Sequence, residues 1–436
     1  MNRITNRRST EEFQKTDAAH HVHPFSDMAE LNQIGSRVIV KGDGVFLFDN
    51  NGKKFLDAMS GLWCVNIGYG RSELATVAQR QMQELPFYNT FFGTTHPPIV
   101  DLSEKIASVA PKHLNHIFFS SSGSEANDTA MKMVWYYNAA LGRPEKRKII
   151  SRRKGYHGVT MAAASMTALA YAQDGFGLPL DFVKHTTAPD FYNGAQDGES
   201  EEDFASRCAA DLETLILEEG PETVAALFAE PVMGAGGVII PPRTYFEKIR
   251  AVLGKYDVLL VADEVICGFG RTGNMWGSQT MDVRPDMLTC AKALSSAYLP
   301  ISAVMLSEKV YAPIAKQAEQ LGIFGHGYTY SAHPVCAAVA LRAQQLMQER
   351  DIVGHVRRIA PQFKSRIERL ARFDFIGHLR AIGLIGAMEF ATNSQTGEKF
   401  DPTQKIAAQA VAIIQRHGVI LRALPGDIIG FCPPLI

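Results

Sequence analysis

No run of apolar residues in this 436-residue chain reaches the length needed to span a bilayer, so a membrane-spanning helix is not expected. Met1 to Arg8 is basic but lacks the apolar core of a secretory signal, so export by that route is not expected either. Net charge is nearly absent: 44 Lys+Arg stand against 45 Asp+Glu, a formal −1. The chain as a whole therefore has no attraction for nucleic acid or acidic membranes, and neither is expected as a partner. The six cysteines (Cys64, Cys208, Cys267, Cys290, Cys336, Cys432) include no Cys-x-x-Cys pair and read as reduced thiols of a cytoplasmic protein. There is no internal repeat, and no glycine-rich turn runs into Gly-Lys-Ser/Thr, which excludes a P-loop. Gly234-Ala235-Gly236-Gly237 lacks the spacing of a nucleotide loop and reads as a tight turn. His20-His21-Val22-His23 has no carboxylate or cysteine at ligand spacing, so no metal is expected.

With 46% hydrophobic and 20% charged residues, the chain can bury a large core and should divide into two domains. The segment up to about Thr16 is polar and expected to be mobile. Val38–Val40, Val45–Asp49 and Lys54–Asp57 alternate apolar and polar residues around glycines, as an antiparallel meander does. From about Ser72 strands alternate with helices, the strands falling near Ile117, Ile149, Ala225, Val258, Leu288 and Ser302. That alternation predicts an α/β fold with a mostly parallel sheet and helices on both faces. From about Cys336 come two long helical patterns, an extended stretch Arg380–Phe390 and a helix Ile406–His417. Residues 1–70 and 336–436 are expected to build a smaller α+β domain around a large domain, 71–335. Asn193–Asp203 is rich in Gly and acidic residues and reads as a surface loop.

Two short apolar runs carry the chemistry. Leu259–Val261 leads to Asp263, and Leu288–Cys290 leads to Lys292, each ionisable group at or just past a strand's C-terminal end. Ligands bind at that end in open α/β sheets. A lysine and an acid so placed suit pyridoxal phosphate, which needs an amine for a Schiff base and a carboxylate at its ring nitrogen; a structural ion pair is the alternative. Upstream, Ser122-Gly123-Ser124 sits between a strand and a helix, where backbone N–H groups and the helix dipole can hold a phosphate. An ordinary N-cap fits the same residues. Tyr156-His157-Gly158 lies at another strand-to-helix switch, where an aromatic could stack on a planar ring.

Six motifs in order then make a resemblance: Gly123–Asp128, Tyr156–Gly158, Ala229–Val232, Ala262–Gly273, Ala291–Leu294 and His326–Ser331. The chain resembles the class III aminotransferases of pyridoxal-phosphate fold type I, and within them the ω-amine:pyruvate transaminases. The likeness runs from about Asp17 to the last residue. It implies that Lys292 holds pyridoxal 5′-phosphate and moves protons, and that Asp263 pairs with the ring nitrogen. Val265 and Tyr156 would take the two ring faces, with His157 and Glu230 close behind. Ser122, Gly123, Ser124 and, from a partner subunit, Thr329 would hold the phosphate. A homodimer with shared sites, or a tetramer, is implied.

The resemblance also places Phe25, Leu62, Trp63, Phe91, Phe92 and Tyr156 around the substrate, with Ala235 at the rim. Large aromatics suit an uncharged amine donor. Arg422 would bind the carboxylate of the keto-acid acceptor, pyruvate, for which a guanidinium fork is suited. Two departures stand out. Leu294–Pro300 replaces the glycine run common after the lysine, a variant that fits the amine:pyruvate branch. Phe431–Ile436 stops where relatives continue into a further helix, which is expected to lie in a longer natural chain. An aminomutase or decarboxylase on the same scaffold, or a non-catalytic relic of the fold, are the alternatives. The donor's identity and stereochemistry are not legible.

Overall fold

The computed structural model describes residues 8–436; the reading of the first seven residues lies outside the described ones. The predicted meander forms as β1 (Ile39–Asp43), β2 (Phe46–Asp49) and β3 (Lys54–Asp57), antiparallel throughout. The central sheet contains β4 (Leu114–Ser120), β5 (Lys148–Arg152), β6 (Val183–Thr186), β7 (Val224–Ala229), β8 (Leu259–Asp263), β9 (Met287–Cys290) and β10 (Ser302–Ser307). Its order is β4-β10-β9-β8-β7-β5-β6, with β10 alone antiparallel to its neighbours. β7 and β8 are buried along their whole length, which is why they read as unbroken apolar runs rather than alternating ones. β6 was missed because Val183-Lys184-His185-Thr186 lies at the sheet edge and is too polar and short to read as a strand.

The last hundred residues give a second sheet from β11 (Ile376–Ile382), β12 (Ile385–Phe390), β14 (Arg422–Leu424) and β15 (Ile428–Phe431), ordered β11-β12-β15-β14. Between them β13 (Val419–Ile420) joins β3 in parallel, so the two chain ends share one sheet. The single extended stretch expected at Arg380–Phe390 is a hairpin that turns at Gly383 with φ +56°.

Two expectations are corrected. Thr10–His20 is a helix, closed at its start by Ser9 and Glu12, each of which hydrogen-bonds the other's backbone. The polarity that suggested mobility instead marks a solvated helix with no buried residue. Asn193–Asp203 is only partly loop, since a long helix begins at Glu201 on a Ser200 cap. Helix Gly123–Ala140 begins where expected, on the Ser122–Glu125 capping box.

Candidate active site

Because β4 and β9 each run antiparallel to β10, the C-terminal ends of β4, β5, β7, β8 and β9 fall on one edge of the sheet. The segments leaving that edge carry Ser122, Tyr156, Glu230, Asp263 and Lys292. Loops and helix starts there supply polar groups that the sheet's own ladder does not consume.

Asp263 ends β8 and is buried, and three groups of its own chain donate to it. Asn127 Nδ2 and His157 Nδ1 reach Oδ2, each at 2.8 Å, and the Val265 N–H reaches Oδ1 at 3.1 Å. Asn127 is itself fixed, giving its second N–H to the His157 carbonyl at 2.7 Å and accepting from Thr289 Oγ1 at 2.8 Å. A carboxylate offers about four acceptor positions, so this one retains about one for a donor from outside the chain. Lys292 follows β9 at φ +43°, in left-handed backbone unusual for a side-chain-bearing residue. It is half-buried by accessibility, yet enclosed enough that burial pushes its ammonium below the ordinary lysine range. Cys64 and Asp263 oppose that shift, and Arg422 adds to it.

The turn before helix Gly123–Ala140 forms a cup. Ser122 Oγ is spent on the Glu125 N–H at 3.2 Å, so its side chain serves as the cap that the alternative reading supposed. Among the described residues the Gly123 and Ser124 N–H groups donate to nothing in the chain. Two unsatisfied donors at a helix start hold a phosphate readily. A Cβ at Gly123 would lie 3.2 Å from both Val265 methyls, so only glycine leaves Val265 its place. Val265 stands in the turn beyond β8 rather than on the strand. The donor set fits pyridoxal phosphate: an amine at Lys292, a carboxylate with an open position at Asp263, and free amides at Gly123 and Ser124.

Glu230 accepts from the Tyr156 N–H at 3.1 Å and the Gly234 N–H at 2.8 Å, so it ties two loops of the site together. Burial pushes its carboxyl upward. Burial likewise raises the Tyr156 phenol, against the pull of Arg422. On the substrate side, the Arg422 guanidinium lies 5.4 Å from the Trp63 ring centre. That is cation–π distance, and Arg422 makes no ion pair among the described residues. The Trp63 ring is buried. A Cβ at Gly234 would sit 2.8 Å from it, and one at Gly430 3.0 Å.

Other expected substrate residues lie apart. Leu62, Phe25 and Phe92 are exposed, Phe92 at 88%. Phe25 meets Tyr171 edge-on, ring centres 5.9 Å apart, while Phe91 packs on Phe92 at the same distance. A Cβ on Gly327 would touch the Phe91 ring at 2.8 Å, so Phe91 is seated against the loop that carries exposed Thr329. Ala235 is buried at 2% exposure inside the Met233–Ile239 turn, not at a rim. That turn is the tight one expected.

Several residues that shape the site were not foreseen. Buried Asp57 accepts from the Gly61 N–H at 2.6 Å, the Met59 N–H at 3.2 Å and the Tyr69 hydroxyl at 2.6 Å. Arg271 is wholly buried and gives its protons to neutral acceptors: Leu384 O at 2.9 Å, Pro433 O at 2.6 Å and Asn66 Oδ1 at 2.9 Å. Between them they hold the 60–66 loop, where Ser60, Gly61 and Trp63 all have positive φ. Burial raises the Tyr171 phenol, against the pull of the nearby Arg422 cation. The Arg271 contacts span more than 100 residues of sequence, those of Asp57 no more than 12, and only the "Gly-Arg-Thr-Gly" of the Arg271 motif was singled out in the sequence.

A family profile described as aminotransferase class-III matches residues 28–436. The γ-aminobutyrate transaminase 3, chloroplastic, of Solanum lycopersicum is 46% identical over 414 residues, which cover 95% of this chain and 79% of that one. The putrescine–pyruvate aminotransferase of Pseudomonas aeruginosa is 46% identical over 435 residues, 99% of this chain and 93% of that protein. Among solved structures, the omega transaminase from Pseudomonas jessenii in complex with PMP has a TM-score of 0.95 at 44% identity, covering 97% of this chain and 93% of that one.

Proposed function

The chain belongs to the class III aminotransferases, enzymes of pyridoxal-phosphate fold type I, and we propose that it moves an amino group from an ω-amine or amine donor to pyruvate. The observation that carries this reading is Arg422, a guanidinium with no ion-pair partner among the described residues, resting on the face of Trp63. A cation beside an aromatic wall can receive two substrates in turn. The acceptor's carboxylate takes the guanidinium, and an uncharged amine takes the aromatic surface. The name of the Pseudomonas aeruginosa relative supports pyruvate as acceptor, and both relatives named above support donors with a terminal amine.

Pyridoxal phosphate, when bound, supplies an aldehyde that takes up the amino group and a ring that draws electrons from the adjoining carbon. The rest is done by the chain. Lys292, with its charged form disfavoured by enclosure, can take a proton from the substrate carbon and return it elsewhere. Asp263 would hold the ring nitrogen, itself held by Asn127 and His157. Tyr156 and Val265 would take the two faces of the ring, and Gly123 and Ser124 would give their N–H groups to the phosphate.

Phe91 lies against Gly327, two residues before Thr329 in the same loop. In this reading both reach the neighbouring site of a homodimer. The division into residues 1–70, 71–335 and 336–436 is supported by the sheet that joins β3 to β13. Absence of a membrane-spanning helix among the described residues and six unpaired cysteines support a cytoplasmic place.

The test is the donor half-reaction, followed through the cofactor's visible absorbance without acceptor. Phenylethylamine, putrescine, β-alanine, taurine, γ-aminobutyrate and glutamate would be offered separately. Conversion by neutral amines, reversed by pyruvate, is expected. Conversion by glutamate alone would exclude the amine:pyruvate assignment.

A further inference from the structure

The histidines at residues 20–23 play no part in the transamination reading, and the fold gives them the carboxylate that their sequence neighbourhood did not suggest. Asp17 lies on the last turn of helix Thr10–His20, four residues before His21. Its Oδ1 is 3.1 Å from His21 Nδ1. The chain leaves the helix at His21 in extended backbone and doubles back, which brings His23 Nε2 to 2.7 Å from Asp17 Oδ2. One ligand atom from each of the three residues lies within 4.8 Å of the others. The two imidazole rings are 4.2 Å apart between centres.

We propose that Asp17, His21 and His23 bind a divalent transition-metal cation of the zinc class, with solvent completing its coordination. Two imidazole nitrogens and one carboxylate oxygen suit zinc, whereas calcium or magnesium would ask for oxygen throughout. The spacing needs no backbone rearrangement, because the carboxylate already gathers both rings as a cation would. His20 points to no part of this cluster and serves as the control.

The position also matters. Phe25, two residues past His23 and at φ +51°, rests edge-on against Tyr171, which senses Arg422. A cation at His23 would thus anchor the segment that carries Phe25 over the approach to Arg422. This consequence rests on the transaminase reading; the binding site does not.

The experiment is calorimetric titration of EDTA-treated, cofactor-loaded protein with zinc chloride. One zinc per chain is expected in the parent and in His20→Ala, at micromolar affinity or tighter, on the order of −8 kcal/mol. The expected result includes loss of that event in His21→Ala/His23→Ala. No binding by the parent, binding that survives the double substitution, or loss in His20→Ala would each overturn the site. None of these outcomes depends on turnover, so the metal site and the transaminase reading fail separately.

Discussion

His157 Nδ1 donates to Asp263 Oδ2 across 2.8 Å, inside a site where both side chains are almost wholly buried. The contact fixes the histidine tautomer, since an ionised carboxylate can only accept, and leaves His157 Nε2 with no partner. With Asn127 on the same oxygen, the aspartate cannot rotate away from the position a ring nitrogen would meet.

Asp263→Asn replaces that acceptor with an amide and breaks the match to both donors. The variant is expected to keep the cofactor but lose at least about 100-fold in the half-reaction rate, by analogy with the removal of a single preorganised polar group elsewhere. Stopped-flow absorbance with a saturating amine checks it. A rate within threefold of the parent would remove Asp263 from the chemistry.

Arg422→Ala removes the cation beside Trp63. The KM for pyruvate should rise by about 10- to 100-fold, in keeping with a charge-assisted hydrogen bond of roughly 1.5–3 kcal/mol. The KM for phenylethylamine should change little, because that donor offers no carboxylate. Equal changes in steady-state kinetics of both substrates would place acceptor binding elsewhere.

Shared sites predict complementation. Lys292→Ala and Thr329→Glu should each be inactive, the first for want of its amine and the second through repulsion of the phosphate. Mixed and allowed to exchange subunits, they should recover about a quarter of parental activity, since half the dimers then hold one intact site. A mixture as inactive as its parts would show that Thr329 serves its own chain.

Glu264 gives a pH dependence. It is fully buried, accepts from the Gly277 and Ser278 N–H groups at 2.8 and 2.6 Å, and burial raises its carboxyl from 4.5 to about 7. The folded chain therefore holds a proton between those values that the unfolded chain releases. Stability falls as pH rises from 4.5, and the whole cost, about 3 kcal/mol, is in place above 7. Glu264→Gln lacks this slope. Its urea midpoint relative to the parent's should be more favourable at pH 8 than at pH 5, whereas a constant difference would contradict the account.

Residues near in sequence were the legible ones. Asp263 and Lys292 showed themselves because each ends or follows a buried strand, and Gly123 because a small-residue turn separates a strand from a helix. Asp57 escaped notice as a holder of the Trp63 loop because it reads only as the end of a strand, and Arg271 because its partners lie in other segments. Arg271 reaches Leu384 across 113 residues and Pro433 across 162. Asp17 escaped for another reason. Its approach to His23 depends on the chain doubling back after the helix, a turn that residue types at 21–25 do not announce.

By itself the sequence determined most strands of the central sheet, the family and the two ionisable residues at the strand ends, because apolar period and local turn chemistry act over a few residues. Tertiary structure alone decided which groups meet. Asn127 and His157 on Asp263, Arg422 on the Trp63 face, and Phe91 on the Thr329 loop are contacts between distant segments. Burial, which moves the Lys292 ammonium down and the Glu264 carboxyl up, likewise exists only once the layers have packed and water has been excluded.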